Sequence, residues 1–194
     1  MEAISRGSRR RSVSIDAPRK RPDLTLSAGK PTFTSTVHLS CFAAGTPVHT
    51  LAGRRPIESI QTGDQVLTQD SRTAELSYQP VLAAVKNKPD RLIEINLGTE
   101  VIRATEIHRF WKAGQGWVAA RDLEPGDTLR SLGGVAVVKS IKRGQIEPVF
   151  NLKVMQAQSF FVGHRGTLVH DNSPVAAVMR PFDLVQRGDG KQGD

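Results

Sequence analysis

The sequence predicts an all-β domain carried between two segments without periodic structure, and three observations lead there. From about Thr32 onward, short apolar runs recur at intervals of roughly 8–12 residues, split by turn-forming residues, which is the punctuation of successive strands. Val and Ile supply most of the apolar residues in those runs, and β-branched side chains favour strand over helix. A ten-residue pattern also occurs twice, as Ile57–Val66 and Ala120–Leu129.

Taken in order, the predicted strands are Thr46–Thr50, Asp64–Thr68, Tyr78–Lys86, Arg91–Leu97, Glu100–Ala104, Phe110–Ala113, Gly116–Ala119, Asp127–Arg130, Val135–Ile141, Val149–Val154, Phe160–Val162 and Leu168–Val169. Alternation is clearest over Arg91–Leu97, where Arg, Ile, Ile and Leu share one face and Leu, Glu and Asn the other. Residues 87–90 fall between two of these predicted strands. Short helical turns are expected at Pro56–Ile60 and Ala119–Leu123, and both belong to the repeat. Its shared pattern is apolar, two polar, apolar, two residues, Gly-Asp, one residue, apolar. Such a pattern docks one helical turn on the core, turns the chain at Gly, and lets Asp bond the loop backbone before a strand starts. Its duplication predicts two related β subdomains.

Charge separates this domain from what precedes it. The chain carries 27 Lys/Arg against 19 Asp/Glu, a net charge of +8. Residues 1–30 hold eight of the basic and three of the acidic side chains, a net of +5, leaving 19 − 16 = +3 for the other 164 residues. That first segment is Ser- and Arg-rich and poor in aliphatics, so it buries too little apolar surface to offset ordering and is expected to be a disordered arm. Weak contact of this arm with nucleic acid or an anionic surface is the partner its charge suggests. The domain itself has seven Phe, one Tyr and two Trp in the whole chain to draw on and no basic-aromatic strand pattern for stacking bases. The expected organisation is an arm at 1–37, a β domain at 38–173 and a flexible C-terminal extension at 174–194. No apolar run approaches the ~18 residues of a membrane span and no export signal is readable, so the default expectation is a cytoplasmic chain.

A single cysteine, Cys41, excludes an internal disulfide and a zinc site of two or more thiolates. It is either a small buried hydrophobe or a nucleophile. Two other segments hold reactive side chains in strand-end settings. In Ala104–Trp111, Thr105 and His108 stand three apart, close enough for a hydroxyl and an imidazole to converge on one backbone amide. In Gly166–Ser173 a strand delivers His170, Asp171, Asn172 and Ser173 as a polar cluster.

In this order the three segments resemble the Hint module shared by inteins, hedgehog autoprocessing domains and bacterial intein-like and pretoxin-associated domains. The stretch CFAAGTPVHTLAGRRPIESIQTGDQVL is similar to the first block of that family, TEIHRFW to its Thr-x-x-His block, and VFNLKVMQAQSFFVG and TLVHDNS to its last two. The resemblance covers about Cys41 to Ser173. It implies a horseshoe of two pseudo-symmetric β subdomains and self-processing with no metal or organic cofactor, the substrate being the chain's own flanking polypeptide. Cys41 would attack the Ser40 carbonyl, Thr105 would hydrogen-bond the scissile peptide or its oxyanion, and His108 would protonate the leaving nitrogen. Water or a thiol would then release residues 1–40, or Ser173 would take the acyl group and Asn172 would cyclise with help from His170. Three positions depart from the family pattern. Asp171 stands between His170 and Asn172, so either Asn172 remains the cyclising residue or Asp171 takes the terminal position. Asn151 replaces an Asp that assists the later steps in many inteins, and Gln158 replaces a second His. An inactive scaffold of the same fold, and a nucleic-acid-binding protein driven by the arm, are the other readings the residues allow.

Overall fold

The computed structural model describes residues 40–171, 173–174 and 181–183. The arm and most of the C-terminal extension lie outside the described residues, as does Asn172. Among the described residues the regular structure is thirteen strands and two single-turn 3-10 helices, with no α-helix. The strands are β1 (Phe42–Ala43), β2 (Pro47–Thr50), β3 (Gly53–Pro56), β4 (Gln65–Gln69), β5 (Leu76–Asn96), β6 (Val101–Thr105), β7 (Arg109–Lys112), β8 (Gly116–Ala119), β9 (Thr128–Ser131), β10 (Gly134–Val137), β11 (Ser140–Val154), β12 (Ser159–Val162) and β13 (Thr167–His170). All the pairings are antiparallel. The strand order is β10-β9-β7-β13-β12-β2-β4-β5-β11-β1-β6, with β3 on β2 and β8 on β7.

The repeat seen in the sequence is reproduced bond by bond. A hairpin (β2–β3 or β7–β8) leads into a 3-10 turn, Ile57–Ser59 or Ala120–Asp122, and then into the next strand, β4 or β9. Ile60 N–H donates to Ile57 and Leu123 N–H to Ala120. Gly63 and Gly126 turn the chain at φ +95° and +97°, a left-handed region open to Gly without a Cβ penalty. Asp64 Oδ2 accepts from Gln61 N–H at 2.8 Å, and Asp127 Oδ2 from Glu124 N–H at 2.9 Å. Each Asp also meets a cation from its own hairpin, Arg55 at 2.9 Å and Lys112 at 2.6 Å. Gly63 N–H then reaches Val81 O as Gly126 N–H reaches Val138 O, both at 2.8 Å. Ile57, Ile60, Ala120 and Leu123, the aliphatic sides of the two turns, pack into one core with Phe42, Val48, Phe110, Leu129, Leu152 and Phe160.

Several elements differ from the sequence expectation: β1 was not predicted, and the predicted strand Val135–Ile141 is divided between β10 and β11, the latter also taking in the predicted Val149–Val154. Tyr78–Lys86 and Arg91–Leu97 are parts of the single 21-residue strand β5, which runs beside the 15-residue β11. Pro89 does not end it, because Lys88 and Pro89 together face one residue, Pro148, at a β-bulge between the Asn87–Val149 and Asp90–Glu147 pairs, where no ladder N–H is needed. β3 was not anticipated, since Gly-Arg-Arg-Pro has no apolar alternation. It is an edge strand whose ladder to β2 is all backbone. The Gly-Asp turn residues predicted as strand starts at Asp64 and Asp127 sit one residue before β4 and β9.

Candidate functional site

The short strand β1 assembles the site through its register. It lies between β11 and β6, with Phe42 opposite Phe150 on one side and Ala104 on the other. Stepping back one residue in antiparallel pairing sets Cys41 against Asn151 and Thr105. Cys41 is fully buried.

Every atom of the Ser40–Cys41 peptide bond that can be hydrogen-bonded is bonded. Cys41 N–H donates to Thr105 Oγ1 at 2.9 Å. The Ser40 carbonyl oxygen accepts from Asn151 Nδ2 at 2.5 Å. Leu152 N–H donates to Asn151 Oδ1 at 2.7 Å, which fixes the amide so that its nitrogen faces Ser40. The Thr105 main chain closes the arrangement, its N–H donating to Cys41 O at 2.9 Å. The Cys41 thiol receives a hydrogen bond from Asn87 Nδ2 at 3.0 Å. Burial pushes that thiol up to about 11, Asn87 opposes the shift, and the nearby Asp90 carboxylate adds to it. Cys41 therefore rests as a neutral thiol.

His108 follows Thr105 by one tight turn, its N–H donating to Thr105 O at 3.0 Å. Its ring lies 3.9 Å from that of Phe42, the residue after the cysteine, and edge-on to Phe110. The side chain is fully buried, and neither ring nitrogen has a hydrogen-bond partner among the described residues. Burial first, and the neighbouring His170 second, push its pKa down to about 3, while the His170 backbone opposes this without reaching hydrogen-bond geometry. A buried imidazole with two nitrogens unsatisfied among the described residues is costly to keep, and the same burial makes it resist protonation, so it rests neutral.

The C-terminal cluster is built at the end of β13, where His170 pairs with Ser159. His170 Nδ1 hydrogen-bonds the Asp171 carbonyl oxygen at 2.9 Å, and its ring meets Trp117 edge-on at 4.9 Å. Burial holds His170 below its usual value against the pull of Asp171. The buried Asp171 carboxylate accepts from Val154 N–H at 2.8 Å, from Ser173 N–H at 2.7 Å and from Ser173 Oγ at 3.2 Å. Asn172 lies outside the described residues. Gln158 adopts φ +52° and accepts Asp171 N–H, away from the Cys41 cluster. His164 is exposed on the β12–β13 turn, where Glu100 caps its N–H.

The structure thus brings together Cys41, Thr105 and Asn151 by direct bonds, sets His108 beside them, and places His170, Asp171 and Ser173 in a second cluster that reaches His108 through His170. Asn87 and Asp90 were missed, since they fall in a stretch that reads as a turn. No group of three or more His, Cys, Asp or Glu among the described residues could hold a metal.

A two-subdomain β fold that opens on a buried cysteine, holds both sides of the preceding peptide bond and ends in a His-containing cluster defines an intein-like Hint module. The chain matches the family described as the Pretoxin HINT domain over residues 47–172, and it belongs to that family. It is similar to the bacterial intein-like domain from Clostridium thermocellum, at 34% identity and TM-score 0.65, covering 69% of this chain and all of that one. The Ssp DnaB mini-intein variant M86 shares the fold at 17% identity and TM-score 0.64, over 71% of this chain and 98% of that chain. The DnaX mini intein from Spirulina platensis does so at 21% and 0.59, over 68% and 99%. No curated protein is significantly similar to the chain.

Proposed function

We propose that the chain cuts itself at the Ser40–Cys41 bond through a thioester, residues 1–40 being the acyl part. The observation that carries this is the double grip on one peptide bond, Asn151 on its carbonyl oxygen and Thr105 on its nitrogen. In the first step Cys41 Sγ attacks the Ser40 carbonyl carbon and forms the C–S bond. The thiol proton moves to His108 in concert with C–S bond formation, because burial disfavours a free thiolate and a resting imidazolium alike, and the negative charge develops on the oxygen that Asn151 Nδ2 already contacts. Collapse breaks the C–N bond, and protonated His108 returns the proton to the Cys41 nitrogen, a poor leaving group without it. Nucleophile and carbonyl share one chain, so no entropy of encounter is lost. Thr105 orients the leaving nitrogen, and the fixed Asn151 amide is an oxyanion donor that needs no reorganisation. A cleft of about 330 Å³ lined by Thr105, Asp90, Arg91, Glu106, Ile107 and Arg121 offers water or a thiol a route to the thioester.

At the other end, the His170 bond to the Asp171 carbonyl favours Asp171 rather than Asn172 as the terminal residue, with the Asp171–Asn172 bond as the one polarised. A carboxylate cyclises on its own carbonyl less readily than an amide side chain displaces a main-chain amine, and two backbone N–H groups hold this one in place. Release of residues 1–40 therefore outruns C-terminal cleavage and splicing.

The test is intact mass of the full chain over time, with and without a small thiol. The expected result is thiol-accelerated loss of a fragment ending at Ser40, none in Cys41→Ala, and a rate about 10²–10³ lower in Asn151→Ala, the usual cost of removing one oxyanion donor. A folded chain that stays whole under every condition, or a first cut elsewhere, overturns the proposal.

A further inference from the structure

The segment after the C-terminal cluster was expected to fray, yet Pro181–Asp183 lies on the module. Phe182 stacks on Trp111 with ring centroids 4.8 Å apart and planes 16° from parallel. Arg130 stands over the same ring, its guanidinium 5.8 Å from the Phe182 ring centre. Asp183 uses both carboxylate oxygens: Oδ2 accepts from Trp111 Nε1 at 3.0 Å and Oδ1 from Gly114 N–H at 3.1 Å. A buried indole N–H needs an acceptor, and here a residue outside the β domain provides it. The Gly114 amide comes from the β7–β8 turn, Ala113–Gln115, which is one residue longer than the matching Leu51–Ala52 turn of the first subdomain. Gly114 has φ +73°, the left-handed conformation that turns its N–H outward to the acid.

We propose that Trp111, the Gly114 amide and Arg130 form a receptor for the polypeptide downstream of the processing position, reading an aromatic residue followed by an acidic one. Phe182 fills it through stacking and a cation–π contact, and Asp183 through two hydrogen bonds to a charged acceptor, a combination that selects the order aromatic-acidic. The receptor adjoins the C-terminal cluster directly. Trp111 meets Trp117 edge-on at 5.0 Å, and Trp117 meets His170 edge-on at 4.9 Å, so one aromatic row joins the anchored Phe182 to His170. Only the word downstream rests on the autoprocessing reading; the receptor itself is independent of any cut. With Phe182 nine positions beyond Ser173, both sides of the polar cluster are held by the module, and a fragment released there remains bound.

The only two tryptophans of the chain are Trp111 and Trp117, so selectively excited tryptophan fluorescence reports on this aromatic row. In the full chain carrying Cys41→Ala, which keeps it whole, the double variant F182A/D183A is expected to show about twofold stronger acrylamide quenching with unchanged far-UV CD, as the stacked cover of Trp111 is lost. A peptide of residues 174–190 added up to about 1 mM, the concentration scale of a short tether, is expected to restore the shielding saturably. The same peptide with alanine at both anchor positions is not. Equal quenching in parent and variant, or no recovery with the peptide, overturns the receptor. Should the double variant fail to fold, Asp183→Asn gives the second measurement. It is expected to move one of the two indole N–H resonances, and an unmoved pair overturns the proposal. Loss of autoprocessing without loss of these signals would count against the cleavage reading only.

Discussion

The two subdomains share one backbone and do different work, and the difference is confined to a few side chains at equivalent positions. Ile57 N–H bonds Thr46 O as Ala120 N–H bonds His108 O, and Thr46 N–H points to Ala43 O as His108 N–H points to Thr105 O. Ala43 and Thr46 of the first half therefore correspond to Thr105 and His108 of the second. In the first half this tight turn is self-contained: Thr46 Oγ1 donates to Ala43 O at 2.7 Å, so its hydroxyl proton stays within the turn. In the second half Thr105 Oγ1 has left its own turn for Cys41 N–H, 64 residues away, and neither His108 ring nitrogen has a partner among the described residues. One turn closes its hydrogen bonds within itself, and the other sends its hydroxyl to Cys41, where the proposed mechanism uses it. Local polar bonding left open in one of two equivalent frames is the contrast on which the proposed role of the second frame rests.

The largest expected effect breaks this equivalence directly. His108→Ala removes the proton carrier, and we expect the rate of N-terminal cleavage to fall by about 10²–10⁴, the usual range for general acid–base catalysis. Thr46→Ala, at the same place in the other half, removes one side-chain bond to Ala43 and is expected to cost about 1 kcal/mol of stability, with the cleavage rate of the folded protein unchanged. Mass-spectrometric cleavage rates beside urea unfolding of both variants check this. Equal rate losses would mean that the two turns are catalytically interchangeable and the contrast is wrong.

A middle-sized effect concerns pH. His108 is held down to about 3 by burial, below the ordinary value that it regains in the unfolded chain. Between those values the unfolded state binds the extra proton, so stability from neutral His108 is complete above about pH 6.5 and is lost as pH falls towards 3. Thr46 has no such dependence. The difference in unfolding free energy between pH 7.5 and pH 4.5 is expected to shrink by a few kcal/mol at most in His108→Gln, which stays uncharged throughout. His49 and His170, also lowered by burial, retain part of the acid slope in that variant. An unaltered slope would mean that His108 is not buried uncharged.

Much of this was legible in the residues because it depends on short-range pattern. The Gly-Asp turns, the aliphatic side of each 3-10 turn, and Cys41, Thr105 and His108 can all be found by spacing and by family resemblance. What could not be read depends on register. Asn87 is written within Asn-Lys-Pro-Asp, a turn signal on its own, and only the bulge opposite Pro148 keeps that stretch in β5 and points an amide at the thiol. Asn151, associated through resemblance with later steps, lies opposite Cys41 by one antiparallel pairing step and so meets the first carbonyl. Phe182 and Asp183 have no periodicity at all. Their partners, Trp111 and Gly114, are about 70 positions away along the chain, a separation no local pattern records.

The smallest effect tests whether the two frames are equal where chemistry is absent. Gly63 and Gly126 have nearly the same φ, +95° and +97°, and a Cβ at either would meet nothing within 4 Å. Substitution by Ala therefore costs only the left-handed backbone penalty, about 1–2 kcal/mol, with no clash to distinguish the sites. Both glycines precede an Asp that ties the preceding turn, and both donate N–H to the next strand at 2.8 Å. The two halves also share one core, so unfolding either should unfold both, and each substitution should then lower the melting temperature alike, by roughly 2–8 °C. Differential scanning calorimetry of Gly63→Ala and Gly126→Ala checks this. A split into two transitions, or a loss seen in only one variant, would mean that the halves are separate folding units, and the contrast between their turns would then reflect stability rather than catalysis.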